Sequence, residues 1–352
     1  MKEERGNRLL NSKLGLRTLA GVTVILAGVA FSASASAEEC SRETLKKLAN
    51  TYVEAQKAGK PAMVPLAEKT VYSENDKLRE ISKGMLSQAL TVDFTRSFYD
   101  TKQCAAFTEV VAATHPHPYV ILTRMEATKK GQVWRMESVV TDEGDWVFGA
   151  TPYLNFTKAE KWDEIPKDKR DTREALQKAA DSYINNWGDP TLPVLHGLPC
   201  ARLEGRMYVT TARNPADNPC TMGAFPQKLN TGNRRYVIDE TVGAVVIFHD
   251  FPWIDSGLGP DHPGTPAGQM FRVEGGKNRY IHEVTACTTP GCGRSRPAGA
   301  AAPGAGGPGA GGPGAGGPGG PGGPGAGPGV PRPPGAPGAP AVPAVPAVPG
   351  GA

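Results

Sequence analysis

The feature that most constrains this chain is an internal repeat. Leu45, Leu48, Ala49 and Tyr52 recur 131 residues on as Leu176, Ala179, Ala180 and Tyr183. The spacing i, i+3, i+4, i+7 marks one apolar face of a helix in each copy. The second copy opens on Asp171-Thr172-Arg173-Glu174, an acidic relative of the capping box. Further along, Arg96 and Asp100 match Arg235 and Asp239, and each Asp precedes an apolar strand-like run, Cys104 to Val111 and Gly243 to Phe248. Each copy closes on Arg-x-Glu, a turn and a strand carrying Glu: Arg124, Glu126 and Glu137, then Arg272, Glu274 and Glu283. Glu74 and Glu204 hold comparable places after the first helix.

Strand pairs are expected over Tyr119 to Met125 and Gln132 to Val140, and over Met270 to Glu274 and Arg279 to Ala286, joined by Gly-containing turns. A helix followed by returning strands gives an α+β class, with helices packed on a curved, mainly antiparallel sheet. The expected organisation is a first domain over 38–157, a charged linker with Pro166 over 158–170, and a second domain over 171–290.

The ends read differently. Lys2, Arg5, Arg8, Lys13 and Arg17 precede an apolar run from Leu19 to Phe31 and a small-residue Ala35-Ser36-Ala37 site. Residues 1–37 therefore read as a secretory signal peptide, and the mature chain as secreted or periplasmic with no further membrane span. Residues 297–352 hold 21 of the 44 Gly and 16 of the 33 Pro. With few large apolar side chains, 291–352 is expected to be a disordered Gly/Pro/Ala-rich tail, with a cell-envelope contact as its sharper reading.

Charge follows the same split. The formal net charge is +4, yet residues 38–290 carry 31 basic and 33 acidic side chains. A nucleic-acid binder should carry its basic excess on the folded part, which excludes that class here. Six Cys in an exported chain point to disulfides, and the local pairing is Cys40–Cys104, Cys200–Cys220 and Cys287–Cys292. No spacing suits a zinc or other metal site, and no P-loop, nucleophile elbow or dinucleotide fingerprint occurs, so no cofactor is expected.

The opening helices, Cys200-Ala201-Arg202-Leu203-Glu204-Gly205, the run from Arg234 to Glu240 into a Val/Ile/Phe strand, and the closing Glu strand resemble the SnoaL-like branch of the NTF2-like, or cystatin-like, cone superfamily. The resemblance covers about residues 41–290 and implies two tandem cones. Members include isomerases, dehydratases, cyclases and hydrolases beside binding modules, so it leaves function open.

Candidate chemistry is sorted by the repeat. Polar residues present twice, including Arg96/Asp100, Arg235/Asp239, Glu137 and Glu283, are read first as parts of the fold. The functional alternative makes Asp239 a pocket carboxylate oriented by Arg235. Residues of the second copy alone carry the sharper hypothesis: His249 and Asp250, with Asp239, as a catalytic set, and Trp253, Asp255, His262, His282 and Arg235 as ligand contacts. Two functions follow. One is a module that binds a small ligand or an envelope component. The other is a cofactor-independent lyase, isomerase, dehydratase or hydrolase using the His/Asp pocket. The first is preferred, because no tight catalytic motif is present.

Overall fold

The computed structural model describes residues 40–210, 220, 231–251, 264–288 and 292. The proposed signal, nearly all of the tail, and Trp253, Asp255, Asp261 and His262 lie outside the described residues.

Helix α1 (Arg42–Ala58) starts where the Ser41 hydroxyl accepts from the Thr44 amide, and ends on Gly59 at φ 62°. Its Leu45, Leu48, Ala49 and Tyr52 are buried on a sheet of strands β1 (Leu66–Glu74), β2 (Lys77–Leu78), β3 (Phe94–Asp100), β4 (Ala105–Ala112), β5 (Tyr119–Ala127) and β6 (Val133–Thr141). The strand order is β2-β1-β6-β5-β4-β3. Helix α2 (Ala150–Ala159) follows, and then α3 (Arg173–Gly188), capped by the Thr172 hydroxyl on the Ala175 amide. Leu176, Ala179, Ala180 and Tyr183 of α3 are buried on a second sheet, formed by β7 (His196–Glu204), β8 (Met207–Thr210), β9 (Gly232–Asp239), β10 (Ala244–Phe251), β11 (Thr265–Glu274) and β12 (Lys277–Thr285). Its order, β8-β7-β12-β11-β10-β9, repeats the first. Each sheet is mixed: only β1–β6 and β7–β12 pair in parallel. The chain is thus α+β, built from two similar domains.

Strand register corrects one part of the repeat. Asp100 opposes Ala105 and Asp239 opposes Ala244, so Arg96/Asp100 and Arg235/Asp239 do correspond. The closing strands do not align as their Arg-x-Glu motifs suggest. Ala105 faces Glu126 whereas Ala244 faces Arg272, and Thr123 faces Ser138 whereas Gln269 faces Glu283. Glu126 therefore matches Arg272, Glu137 matches His282, and Ser138 matches Glu283. A strand slipped by one residue presents every side chain to the opposite face, so Glu137 and Glu283 sit in different surroundings. Glu283 is not a duplicated residue.

The two sheets pack against each other through the faces their helices leave bare. One continuous core joins Phe107, Leu122 and Val139 of the first sheet to Val246, Phe248, Met270 and Val284 of the second. The rings of Phe107 and Phe248 meet edge to face at 6.4 Å. At Gly268 the sheets approach so closely that a Cβ would lie 2.6 Å from Leu122 Cδ1. The layers run α1, first sheet, second sheet, α3, with Tyr153 and Leu154 of α2 in the shared core. Residues 158–170 also pack, burying Glu160 and Ile165.

The duplicated aspartates hold this arrangement reciprocally. Asp100 of the first copy takes a bidentate pair from Arg173 of α3, 2.8 Å on each oxygen, and accepts from the Ile238 amide at 2.9 Å. Asp239 of the second copy pairs with Arg42 of α1 at 2.7 Å and accepts from the Tyr99 amide at 2.9 Å. Arg42 and Arg173 hold the same place in their helices, so this is the self-complementary exchange of a two-fold interface within one chain.

Cys40–Cys104, Cys200–Cys220 and Cys287–Cys292 are disulfide-bonded, as the local pairing predicts. Such bonds persist in oxidising, extracellular-type surroundings. Among the described residues, no helix is long and apolar enough to cross a membrane.

Candidate functional site

Alternation along β10 decides which of the expected residues can act together. Val245, Ile247, His249 and Phe251 point toward α3, while Phe248 and Asp250 point toward the first sheet. His249 and Asp250 are neighbours in sequence and are not brought together. Asp250 sits half-buried beside Asp76 and Arg235, where burial and the Asp76 carboxyl push it up to about 6. Arg235 itself binds Glu137 at 2.7 Å and Asp76 at 3.0 Å, so it ties the copies together. Asp239, 1% exposed, has both oxygens engaged by Arg42 and by the Tyr99 and Thr241 amides. His282 lies in the seam between the sheets, its Nε2 2.6 Å from Glu160 Oε2 and its Nδ1 3.4 Å from the Tyr153 hydroxyl. The His249, Asp250 and Asp239 set therefore shares no site.

His249 does belong to a different cluster, between α3 and the second sheet. It is fully buried, with its ring 6.0 Å from Trp187. Tyr183 of α3 packs on Trp187 at 5.4 Å and on Phe271 at 5.8 Å. From the sheet come Gln269, whose Nε2 donates to Glu283 Oε2 at 3.3 Å, and Glu204, directly opposite Glu283 on the parallel strand. The Trp146 indole donates to Glu204 at 2.7 Å, and Arg202 lies 3.6 Å from it. The Tyr183 hydroxyl, both His249 ring nitrogens and Gln269 Oε1 are buried with no hydrogen-bond partner among the described residues.

The first copy is an internal control. At the matching positions Tyr52 bonds Thr123 at 2.7 Å, Thr123 bonds Ser138 at 2.8 Å, and Val110 stands where His249 would be. Glu74 is closed over by Tyr72 and the Met85 amide, and Gln56 of α1 binds the Met85 and Gln88 carbonyls. Every polar group there is answered. The second copy has Gln269, Glu283 and His249 in place of Thr123, Ser138 and Val110, and the Tyr183 hydroxyl, Gln269 Oε1 and the His249 nitrogens are unanswered among the described residues.

Burial sets the protonation of this cluster. Burial lowers His249 to about 3 against the Asp250 backbone, with smaller help from the Arg234 and Arg235 charges, so its imidazole is neutral. Burial and the Glu204 charge push Glu283 up to about 8, against its bonds to Thr285 and Gln269 and the Arg202 charge. At neutral pH Glu283 keeps its proton and can donate it.

The two shifts oppose each other in stability. Folded Glu283 holds a proton that the unfolded chain releases above about 4.5, so its contribution falls as pH rises from there to about 8. Folded His249 refuses a proton that the unfolded chain takes up below 6.5, so its contribution falls as pH drops from 6.5 toward 3. Between 4.5 and 6.5 the slopes cancel, and above 6.5 only Glu283 acts. Wild-type stability should therefore fall between pH 6.5 and 8, by at most about 1.4 kcal/mol per unit. In Glu283→Gln that fall should vanish. Urea denaturation of both proteins at pH 6.5 and 8 checks it, and equal slopes would contradict the assignment.

Sequence reasoning singled out His249 by residue type but set Glu283 aside as duplicated and passed over Gln269 and Tyr183. The signal that finds them is the register, which pairs Glu283 with Gln269 and not with an Arg. Among the described residues, no group of three or more His, Cys, Asp or Glu side chains is placed to hold a metal ion.

No curated protein matches the chain. A family model described as "Domain of unknown function (DUF8021)" matches residues 169–285, which run from just before α3 to the end of β12 and so span the second copy, where the unanswered polar cluster lies.

Proposed function

We propose that the chain is an exported protein of two NTF2-like cones in which the first serves packing and the second binds a small organic ligand between α3 and its sheet. The cone reading rests on the sequence resemblance and is supported by a helix laid on one face of a six-stranded mixed sheet in each copy. Export rests on residues 1–37 and is supported by the three disulfides. A cell-envelope contact by the tail remains part of the proposal.

The observation that carries the binding reading is the contrast between the copies. Buried polar groups are almost always paired, and those that are not call for an explanation, of which a water, an ion or a bound ligand are the usual ones. Tyr183, His249 and Gln269 are such groups, and their counterparts in the first copy are not. Their shell of Ile247, Phe251, Phe271 and Trp187 is apolar, and His249 and Glu283 are both neutral near pH 7. This suits an uncharged, mostly apolar molecule with a carbonyl or hydroxyl or two.

A second reading, a cofactor-independent lyase, isomerase, dehydratase or hydrolase, is favoured by one feature. Glu283, protonated beside Glu204, is a buried acid of the kind used to polarise a carbonyl. The test for binding is a thermal-shift screen of the full chain against uncharged aromatic ketones, lactones and phenols. A hit should raise the midpoint of wild type and not of His249→Leu. A screen without hits, or hits that His249→Leu keeps, would count against the reading.

A further inference from the structure

A recess lies on the opposite face of the second sheet, away from His249. It has a volume of about 400 Å³ and is lined by Pro199, Ala201, Tyr208, Tyr280, Glu274 and Arg279. Both tyrosine rings are braced from behind. Phe156 stacks on Tyr208 at 4.5 Å with 10° between planes, and Trp162 stacks on Tyr280 at 5.8 Å. Trp162 is itself pinned by the Arg96 guanidinium at 4.7 Å and by Phe98 at 5.1 Å.

The polar groups of the recess are donors and acceptors together. The Tyr208 hydroxyl feels the Glu160 carboxyl. Burial raises the Glu160 carboxyl, but His282 and the Trp162 indole outweigh this and hold it below the usual range, so it is ionised. Burial and that carboxylate raise Tyr208, so its phenol stays protonated. A phenol can both donate to and accept from a ligand. Arg279 spends Nη1 on the Leu198 and Pro199 carbonyls and lies 3.7 Å from Glu274, whose other oxygen takes Arg272 at 2.8 Å. What the recess presents is two aromatic rings, a phenol and the exposed edge of a carboxylate that Arg272 and Arg279 share.

We infer that this recess is a saccharide site: an uncharged pyranose ring packs its C–H face on Tyr280 and Tyr208 and donates hydroxyls to Tyr208 and Glu274. Aromatic rings with a polar edge match a ligand that is apolar on one face and hydroxylated around its rim. The volume accommodates one or two sugar rings, within the usual range for small-ligand sites. A free saccharide and a unit of a polysaccharide offer the same chemistry.

Calorimetric titration of the full chain with cellobiose, maltose and diacetylchitobiose, beside co-sedimentation with insoluble cellulose and chitin, separates the two sources. Saturable binding of at least one probe is expected, soluble or polymeric. Tyr280→Ala should weaken it about tenfold or more, and Tyr208→Phe and Glu274→Gln severalfold. Glu274 is 43% exposed, so its variant keeps the test valid where Tyr280→Ala fails to fold. No saturable binding of any probe, or unchanged affinity in Glu274→Gln and Tyr208→Phe, would overturn the assignment.

Discussion

Asp100→Ala and Asp239→Ala are each expected to destabilise the protein by about 3–5 kcal/mol, the largest single-residue effects outside the apolar core. The acids are 0% and 1% exposed, and each gathers charge and backbone donors from the other copy. Removing Asp100 leaves the Arg173 guanidinium facing buried surroundings and strips the Ile238 and Gln103 amides of their acceptor. Removing Asp239 does the same to Arg42 and the Tyr99 amide, and the Arg42 stack on the Tyr99 ring at 4.8 Å loses its anchor. Asn at either position keeps part of the hydrogen bonding and should lose less. Because the copies share one core, either variant should move a single unfolding transition and not split it. Denaturant titration followed by tryptophan fluorescence and by far-ultraviolet dichroism reads both quantities. A loss below about 1 kcal/mol, or two separate transitions, would mean that the clasps do not join the copies.

His249→Leu should have the opposite sign. A buried imidazole whose two nitrogens find no partner carries a desolvation penalty of about 1–3 kcal/mol, and an apolar side chain of similar size removes it. The first copy places Val110 at this position, which shows that the fold accepts an apolar residue there. The variant should therefore be more stable than wild type by about 1–2 kcal/mol and should no longer bind. Stability bought back at the loss of function is the expected signature of a site kept polar for a ligand. A destabilised His249→Leu would instead make the imidazole a structural element. Its stability should also rise as pH falls from 6.5 to 4.5, because the histidine slope that cancels the Glu283 slope in wild type is gone.

Much of the scaffold was legible from residue spacing, and the reasons it stopped are specific. Both first helices follow from their i, i+3, i+4, i+7 faces, because a helix must bury such a stripe. The duplicated Asp100 and Asp239 were visible as a pair serving the fold, but their partners were not. Arg96 and Arg235, four residues before them, looked like the partners, whereas the bonds run to Arg173 and Arg42 in the opposite copy. Nothing local in a sequence encodes a contact across a pseudo-two-fold axis. The closing strands misled through a look-alike, since Arg124-x-Glu126 and Arg272-x-Glu274 match as text and are offset in register. That offset turned Glu283 from a site residue into an apparent structural repeat. His249 was legible from its type alone. Its separation from Asp250 follows from strand alternation, which forbids adjacent residues of one strand from sharing a face.

The two copies differ in one respect: the first answers its buried polar groups internally, and the second leaves Tyr183, His249 and Gln269 atoms unanswered among the described residues. Binding stoichiometry tests it most directly. A screening hit whose binding depends on His249 should titrate by calorimetry to one molecule per chain, and Tyr52→Phe in the first copy should leave that number and the affinity unchanged. Two equivalent molecules per chain, or loss of binding in Tyr52→Phe, would contradict it.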